Sequence, residues 1–154
     1  MKSLLILTIV LFTFGCHRTT ERERNTGIFS AYIQKEFDAQ IPDSLHYFIL
    51  VPKLVCKGCA TDELLELSTL TDESDRKQIT YITSNPELFS PELRQKINLL
   101  FDGRGTLDRL NLEIANLTLV ETKNRQVNFI KPFYADEGKS LASFLKLSNE
   151  KSTR

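Results

Sequence analysis

Residues 47–70 read YFILVPKLVCKGCATDELLELSTL, and this stretch decides the fold. It opens on five apolar or aromatic residues without alternation, which is typical of a β-strand buried on both faces of a parallel sheet. Pro52 ends the strand, and a helical pattern follows in which the apolar positions are Leu64, Leu65, Leu67 and Leu70. Cys56 and Cys59 therefore lie between the end of a buried strand and the start of a helix.

Two cysteines separated by two residues at such a junction are typical of a redox-active dithiol. The first N–H groups of a helix have no partner within the helix and carry partial positive charge, so they stabilise a thiolate. We therefore expect the pKa of Cys56 to lie below its ordinary value, with Lys57 as a further cation beside the sulfur. Cys56 is expected to be the exposed nucleophile and Cys59 the resolving thiol, with a tight bend at Gly58.

The N-terminal residues predict a lipoprotein signal. Lys2 supplies a positive charge, and the apolar run over 4–14 is too short for a comfortable membrane span. Gly15-Cys16 then resembles the lipobox of bacterial lipoproteins, in which the cysteine becomes the lipidated first residue. We expect a signal peptide over 1–15 and an extracytoplasmic chain anchored through Cys16 to the periplasmic face of a bacterial membrane. An uncleaved anchor or an ordinary secretory signal is the alternative.

Composition predicts one globular domain. The chain has 154 residues, of which 41% are hydrophobic and 26% charged. Lysine plus arginine equals aspartate plus glutamate, 20 against 20. The composition therefore has no excess of positive charge that would indicate nucleic-acid binding. Of the three cysteines, one is assigned to the lipid and two to the dithiol, and disulfides persist outside the cytoplasm.

Polarity and periodicity set the expected boundaries. Residues 16–27 are predicted to be a lipidated N-terminus and flexible tether, because HRTTERERNTG has no apolar period. The domain is expected over 28–148, followed by a disordered tail over 149–154. Helices are predicted over 28–38, 60–70, 91–96, 106–112 and 140–147, and strands over 45–51, 78–83, 97–101, 117–122 and 127–133. This alternation predicts an α/β fold with a mixed central sheet, helices on both faces, and a C-terminal antiparallel hairpin plus helix.

The order of the predicted helices and strands resembles the thioredoxin-like fold, and most closely its membrane-anchored extracytoplasmic branch among bacterial lipoproteins. The resemblance covers about residues 28–148. It depends on the strand, CKGC and helix, and on NLTLVETKNRQVNFI over 116–130, which is similar to the family's strand, polar turn and strand. It implies thiol–disulfide exchange through Cys56 and Cys59 without a cofactor. The implied partners are protein disulfide or dithiol substrates and a membrane redox donor.

Two features of that family are absent from the sequence. Leu117, preceded by Asn116, stands where the family has a cis-proline. A cis bond before a non-proline residue costs about 2.5–4 kcal/mol, so we expect a trans bond here. The family's buried acidic residue near the resolving cysteine has no match in YFILV.

Two other interpretations remain open. The stretch around CKGC also resembles small Cu(I)-carrying domains, although Leu54 stands where those have methionine. The second is a non-catalytic thioredoxin-fold lipoprotein acting as an adaptor or assembly component. A structural zinc site needs four ligands, and His46 is distant from the two cysteines in sequence, so no resident metal site is predicted. Asp102, Asp108 and Glu113 are too scattered for us to propose a carboxylate pair.

Overall fold

A five-stranded mixed sheet is the centre of the fold. It is seen in a computed structural model that describes residues 20–55, 57–70, 77–134, 140–141 and 143–145, with only the backbone of residues 57, 59 and 68–70. The spatial order of the strands is β3-β2-β1-β4-β5. Their bounds are β1 His46–Val51, β2 Ile79–Thr83, β3 Asn98–Phe101, β4 Leu117–Lys123 and β5 Gln126–Phe133.

Helices precede and connect these strands. The α-helices are α1 Glu21–Phe37, α2 Lys57–Leu70 and α3 Pro91–Lys96. Two short 3-10 turns cover Pro86–Leu88 and Leu107–Arg109. The first of these turns was not predicted, and the second is shorter than the helix expected over 106–112. In α3 the Ser90 hydroxyl accepts a hydrogen bond from the N–H of Leu93, and Pro91 is the first helical residue, as predicted.

Strand β1 is the central strand, as its uninterrupted apolar sequence predicts. It pairs in parallel with β2 and antiparallel with β4, and all six of its residues are buried. β2 pairs in parallel with β3, and β4 pairs antiparallel with β5. The predicted α/β class, with a mixed sheet and a C-terminal antiparallel strand pair, is confirmed, and the arrangement is compatible with a thioredoxin-like fold.

Each face of β1 packs against a different helix. On one face, Ile49 packs in a core that includes Leu64 and Leu67 of α2. On the other, Phe48 and Leu50 pack in a core that includes Phe29, Tyr32 and Ile33 of α1. Burial of each large apolar side chain contributes about 1.5–3 kcal/mol, so these two layers hold both helices on the sheet.

One apolar position of the helical pattern in α2 does not face the core. Leu65 is exposed, whereas Leu64 and Leu67 are fully buried. The buried positions 60, 64 and 67 recur at intervals of four and three residues, so they form one face of the helix. Leu65 is rotated about 100° from Leu64 and falls outside that face.

The predicted tether is wrong over residues 21–27, which are helical. Helix α1 begins at Glu21 and ends at Phe37, one residue before the end of the helix expected over 28–38. The Thr20 hydroxyl accepts a hydrogen bond from the N–H of Glu23, and the Glu23 carboxylate accepts one from the N–H of Thr20. This reciprocal capping box starts the helix in a sequence that has no apolar period.

Polar side chains in the first turns of α1 bind the outer edge of β5. Thr26 Oγ1 accepts a hydrogen bond from the N–H of Val127 at 2.9 Å, and Arg22 Nε donates to the carbonyl of Val127 at 3.2 Å. These bonds satisfy backbone groups that an edge strand otherwise exposes. The stretch ERERNT is therefore part of the folded domain.

The C-terminal hairpin follows the prediction, with a two-residue turn. Asn124 and Arg125 have φ angles of 54° and 59°, which is the left-handed geometry of a tight type I′ hairpin turn. After β5, the described residues 141 and 143–145 are helical, with Leu141 and Leu145 buried as expected. Leu147, the signal peptide over 1–15, Cys16 and the tail over 149–154 lie outside the described residues.

Candidate functional site

The candidate site lies at one end of the sheet, where the strands begin or terminate. The C-terminal ends of β1, β2 and β3 meet there with the start of β4, because β4 runs antiparallel to β1. We call this the dithiol edge and define it by the connections 52–56, 84–85, 102–110 and 115–116. The succession of strand and helix around the cysteine pair agrees with the sequence: β1 ends at Val51 and α2 begins at Lys57.

The cysteine pair itself is only partly described. Cys56 lies outside the described residues, directly before the first helical residue, and the backbone of Cys59 lies in the first turn of α2. The first turn of α2 has no acidic residue, so no carboxylate in that turn opposes a negative charge there. Helix α2 begins three residues earlier than predicted, and it includes Lys57.

The bend expected at Gly58 does not exist. Gly58 is helical, its φ is not positive, and a Cβ added to it would meet nothing within 4 Å. Residues 57 and 58, which lie between the cysteines, are therefore the first two residues of α2. Cys56 and Cys59 are one helical turn apart in sequence, which gives the spacing that the turn at Gly58 was expected to supply.

Asp108 holds the connection that leads to Cys56. Its Oδ1 accepts a hydrogen bond from the backbone N–H of Lys53 at 2.7 Å, and its Oδ2 accepts one from Ser84 Oγ at 2.6 Å. One carboxylate therefore joins the segments that follow β1 and β2. Sequence reasoning missed this role, because Asp108 is 55 residues from Lys53 and no local motif links the two.

A buried carboxylate lies in the same loop. Asp102 is 2% exposed and accepts hydrogen bonds from Tyr32 Oη at 3.2 Å and from the N–H groups of Arg104 and Leu107. Burial, and then the Asp102 charge, raise the pKa of Tyr32 far above its ordinary value. Asp102 and Asp108 bind different donors.

The start of β4 has a trans peptide bond and a left-handed residue. No peptide bond in the described ranges is cis, so the bond before Leu117 is trans. Asn116 has a φ of 48°, a left-handed conformation that asparagine tolerates better than most residues. Thr118 Oγ1 donates to the carbonyl of Ala115 at 3.0 Å and accepts from its N–H at 3.1 Å. The Thr118 hydroxyl therefore closes a turn with Ala115 at the start of β4.

One large apolar side chain, two residues before Cys56 in the sequence, is exposed. Leu54 is 93% exposed, whereas the neighbouring Val55 packs against the core. The backbone N–H of Lys53 is bound to Asp108, so the exposed leucine follows a fixed point in the chain.

His46 lies at the opposite end of β1 and does not join the cysteines. Its Nε2 is 2.8 Å from Thr80 Oγ1, which also accepts a hydrogen bond from Asn98 Nδ2 at 2.7 Å. Burial lowers the pKa of His46. The six residues of β1 separate His46 from the dithiol edge by about 17 Å, so His46 is a structural residue and not a ligand beside the cysteines.

Neither a metal cluster nor a membrane-spanning helix occurs in the described ranges. No three histidine, cysteine, aspartate or glutamate side chains there are grouped to hold a metal ion. No helix within residues 20–55, 57–70, 77–134 or 140–145, so far as these are described, is long and apolar enough to cross a bilayer.

Comparison by sequence assigns no family. No protein-family model matches the chain, and no curated protein matches it. The order and directions of the strands therefore carry the classification. They define a mixed α/β fold compatible with the thioredoxin-like arrangement.

Proposed function

We propose that the protein is a membrane-anchored, extracytoplasmic thiol–disulfide oxidoreductase that acts through Cys56 and Cys59. One observation carries the proposal: α2 begins at Lys57, directly after Cys56. The connection 52–56 joins this helix to the buried central strand β1. The unpaired N–H groups of that helix start favour a thiolate over a thiol at the adjacent cysteine. Lys57 adds a positive charge next to it in sequence.

The proposed reaction is a two-step exchange. The Cys56 thiolate attacks one sulfur of a substrate disulfide, which forms a mixed disulfide and releases the other substrate sulfur as a thiolate. The Cys59 thiolate then attacks the Cys56 sulfur, and the second substrate sulfur leaves. The substrate gains two electrons, and Cys56 and Cys59 become a disulfide. A membrane redox donor then returns two electrons and two protons to the pair, and no cofactor is needed in this protein.

Anchoring at Cys16 is part of the same proposal. The apolar run over 4–14 followed by Gly15-Cys16 supports export and lipidation. Outside the cytoplasm a disulfide persists, so a dithiol that must stay reduced requires a donor. The protein substrates would therefore be disulfide-containing proteins in the same compartment.

A non-catalytic adaptor is the second candidate. The site that holds proline in the resembled family holds Leu117 here, and the central strand carries no acidic residue behind the dithiol. These departures favour a protein that keeps the fold and recruits partners without exchange. Cu(I) transfer through the same two sulfurs remains an outcome of the experiments below.

Single-cysteine variants test the exchange directly. We expect Cys56→Ser to abolish exchange with a model disulfide, because the attacking thiolate is lost. We expect Cys59→Ser to accumulate a mixed disulfide that can be captured with alkylating reagent on a non-reducing gel. Exchange at the wild-type rate in both variants would exclude the mechanism.

A redox titration separates the three candidate functions. The purified protein is equilibrated across glutathione ratios, free thiols are alkylated, and the titration is repeated with Cu(I). A reversible midpoint between about −120 and −270 mV supports the oxidoreductase. A disulfide that resists glutathione, without copper binding, supports the adaptor. Stoichiometric, tight Cu(I) binding supports metal transfer.

A further inference from the structure

We infer that the outer edge of β3 is a docking site at which an extended, apolar segment of the substrate protein pairs as a sixth strand of the sheet. The inference rests on the proposed exchange at Cys56 and Cys59, because it assigns the docked segment to the protein whose disulfide is exchanged. It deepens that proposal by naming how such a protein is held. The argument uses the backbone directions of β3, the difference between the two edge strands, and the size of the contact.

The backbone groups of two residues in β3 point away from the sheet. The N–H of Asp102, directly after β3, donates to a carbonyl of β2 at 2.9 Å. Because alternate residues of a strand point to opposite neighbours, Asn98 and Leu100 also direct their N–H and C=O groups toward β2. Leu99 and Phe101 therefore direct theirs outward. No hydrogen bond joins those outward groups to another residue in the part of the chain that the structure describes.

The two edge strands of the sheet differ in the protection of their outer backbone groups. At β5, Thr26 and Arg22 of α1 bind the N–H and the carbonyl of Val127, and Pro132 has no N–H. The sequence of β3 is NLLF, which contains neither proline nor a charged residue. Proline and charge are common protections of an edge strand, so β3 is a template for pairing with another chain.

Apolar side chains accompany the outward backbone groups of β3. Phe101 is 54% exposed, and Leu99 is half-buried on the same face of the sheet, the face that packs against α2. Leu100 is half-buried on the opposite face, which packs against α1. Residues of an added strand lie directly beside these side chains, so both faces of that strand contact apolar surface. The occupant that fits such an edge is an extended segment rich in apolar residues.

The size of the contact distinguishes a substrate segment from a second copy of the chain. A stable interface takes about 20–30 residues from each side, whereas β3 offers four residues, which lie between the exposed Lys96 and Arg104. Two copies joined through this edge alone would therefore not form a stable dimer. A contact this small suits a transient complex, and a substrate that leaves after exchange forms a complex of that kind.

The docked segment would lie within reach of the dithiol edge. β3 runs parallel to β2 and β1, and Phe101 is level with Thr83 and Val51 at their C-terminal ends. A sixth strand beside β3 is three strand spacings from β1, which is about 14 Å. An extended chain of about five residues spans that distance. We therefore expect the substrate cysteine to lie at least about five residues from the docked segment, since the connection 52–56 to Cys56 begins at the end of β1.

A blocked peptide of alternating valine and threonine, used at concentrations where it is monomeric, tests the strand addition. A second probe has the same sequence with every amide nitrogen methylated, so it cannot pair as a strand on either of its edges. Each probe is titrated into the full-length protein labelled with nitrogen-15. The amide signals of Leu99 and Phe101 report on the outer edge of β3, and that of Val127, already bound to Thr26, is the internal control.

We expect the unmethylated probe to cause saturable shifts of the Leu99 and Phe101 signals. At saturation, hydrogen exchange at both amides should slow by at least about tenfold, because each N–H gains an acceptor. The Val127 signal should not move, and the methylated probe should cause no shift. Equal shifts with both probes overturn the inference. Slow exchange at Leu99 and Phe101 before any probe is added also overturns it, because the edge is then already covered by this chain or by a second copy.

Two variants at one position separate backbone pairing from side-chain contact. Phe101→Pro removes an outward N–H and leaves the bonds of β3 to β2 in place. Phe101→Val keeps that N–H and an apolar side chain. We expect the proline variant to bind the unmethylated probe at least about tenfold more weakly and the valine variant to lose less. Equal binding by Phe101→Pro and wild type excludes the strand addition. If the proline variant does not fold, as urea unfolding reports, the methylated probe still decides.

A disulfide on the peptide tests whether the docked segment belongs to a substrate. The unmethylated probe carries, about five residues beyond its strand segment, a cysteine in disulfide with a coloured thiol, and the control peptide carries that disulfide alone. Reduced wild-type protein should release the thiol from the docking peptide at least about tenfold faster, because docking raises the effective concentration of the disulfide. Phe101→Pro should lose this advantage. Equal rates despite docking overturn the assignment to a substrate. If neither disulfide is reduced, the proposed exchange is wrong and that assignment falls with it, whereas the shifts at Leu99 and Phe101 report on the docking site independently.

Discussion

Asp108 Oδ1 lies 2.7 Å from the backbone nitrogen of Lys53, and this hydrogen bond fixes the segment between β1 and Cys56. The same carboxylate binds Ser84 through its other oxygen. A single exposed side chain therefore links the ends of two neighbouring parallel strands.

Replacement of Asp108 should destabilise the protein and slow exchange. Asp108→Ala removes two hydrogen bonds to a charged acceptor at an exposed site, so we expect a loss of about 1 kcal/mol in the free energy of unfolding. We also expect slower attack by Cys56, because Lys53 is no longer held. Urea unfolding and stopped-flow thiol exchange measure the two effects. Glu113→Ala removes an exposed carboxylate of the same charge and should change neither, and an equal effect in both variants would contradict this role for Asp108.

Loss of the Tyr32 hydroxyl should destabilise the protein, because the buried Asp102 carboxylate loses a hydrogen-bond donor. In Tyr32→Phe, the carboxylate loses one of three donors, and we expect a loss of about 1–3 kcal/mol in the free energy of unfolding. Tyr134→Phe removes the hydroxyl of a tyrosine that is 37% exposed and is the matched control. If both variants unfold at the same urea concentration as wild type, the bond does not contribute to stability.

The same tyrosine should make the protein sensitive to alkali. The pKa of Tyr32 is raised in the folded state by burial and by Asp102, so only the unfolded chain releases this proton near pH 10. The free energy of unfolding should therefore decrease as pH rises above about 10. Tyr32→Phe should reduce that slope, measured by urea unfolding between pH 9 and about 11. An unchanged slope would show that Tyr32 ionises equally in both states.

His46 should make the protein less stable in mild acid. Burial lowers its pKa in the folded state, whereas the unfolded chain binds a proton near the ordinary value of about 6.5. The unfolded state therefore binds more protons, and the free energy of unfolding should fall as pH drops below about 6.5. His46→Gln cannot titrate and should flatten that slope in urea unfolding series. A wild-type slope in His46→Gln would assign the acid sensitivity to other groups.

Two glycines should respond oppositely to the same substitution. Gly27 is inside α1 with nothing within 4 Å of an added Cβ, so Gly27→Ala should stabilise the protein by about 0.5–1 kcal/mol. Gly105 has a φ of 62°, so Gly105→Ala should be destabilising because alanine is strained there. Thermal unfolding of both variants checks the signs, and stabilisation by Gly105→Ala would be inconsistent with the observed turn.

Local sequence was sufficient for the central strand, for the main succession of helices and strands, and for a helix that begins beside the cysteines. Those features depend on apolar runs, helical periodicity and turn residues close together in the chain. The early start of α1 is also indicated by a local sequence signal, the capping box formed by Thr20 and Glu23. Apolar periodicity does not indicate this start, because the first turns of α1 are held by polar bonds.

Tertiary structure decided the contacts between distant segments. The bond of Asp108 to Lys53 joins residues 55 positions apart, and that of Tyr32 to Asp102 joins residues 70 positions apart. No periodic pattern specifies such pairs, because they form only after β1, β2 and β3 align their C-terminal ends. The same alignment places the start of α1 and the dithiol at opposite ends of the sheet, since strand direction and helix direction are properties of the assembled fold.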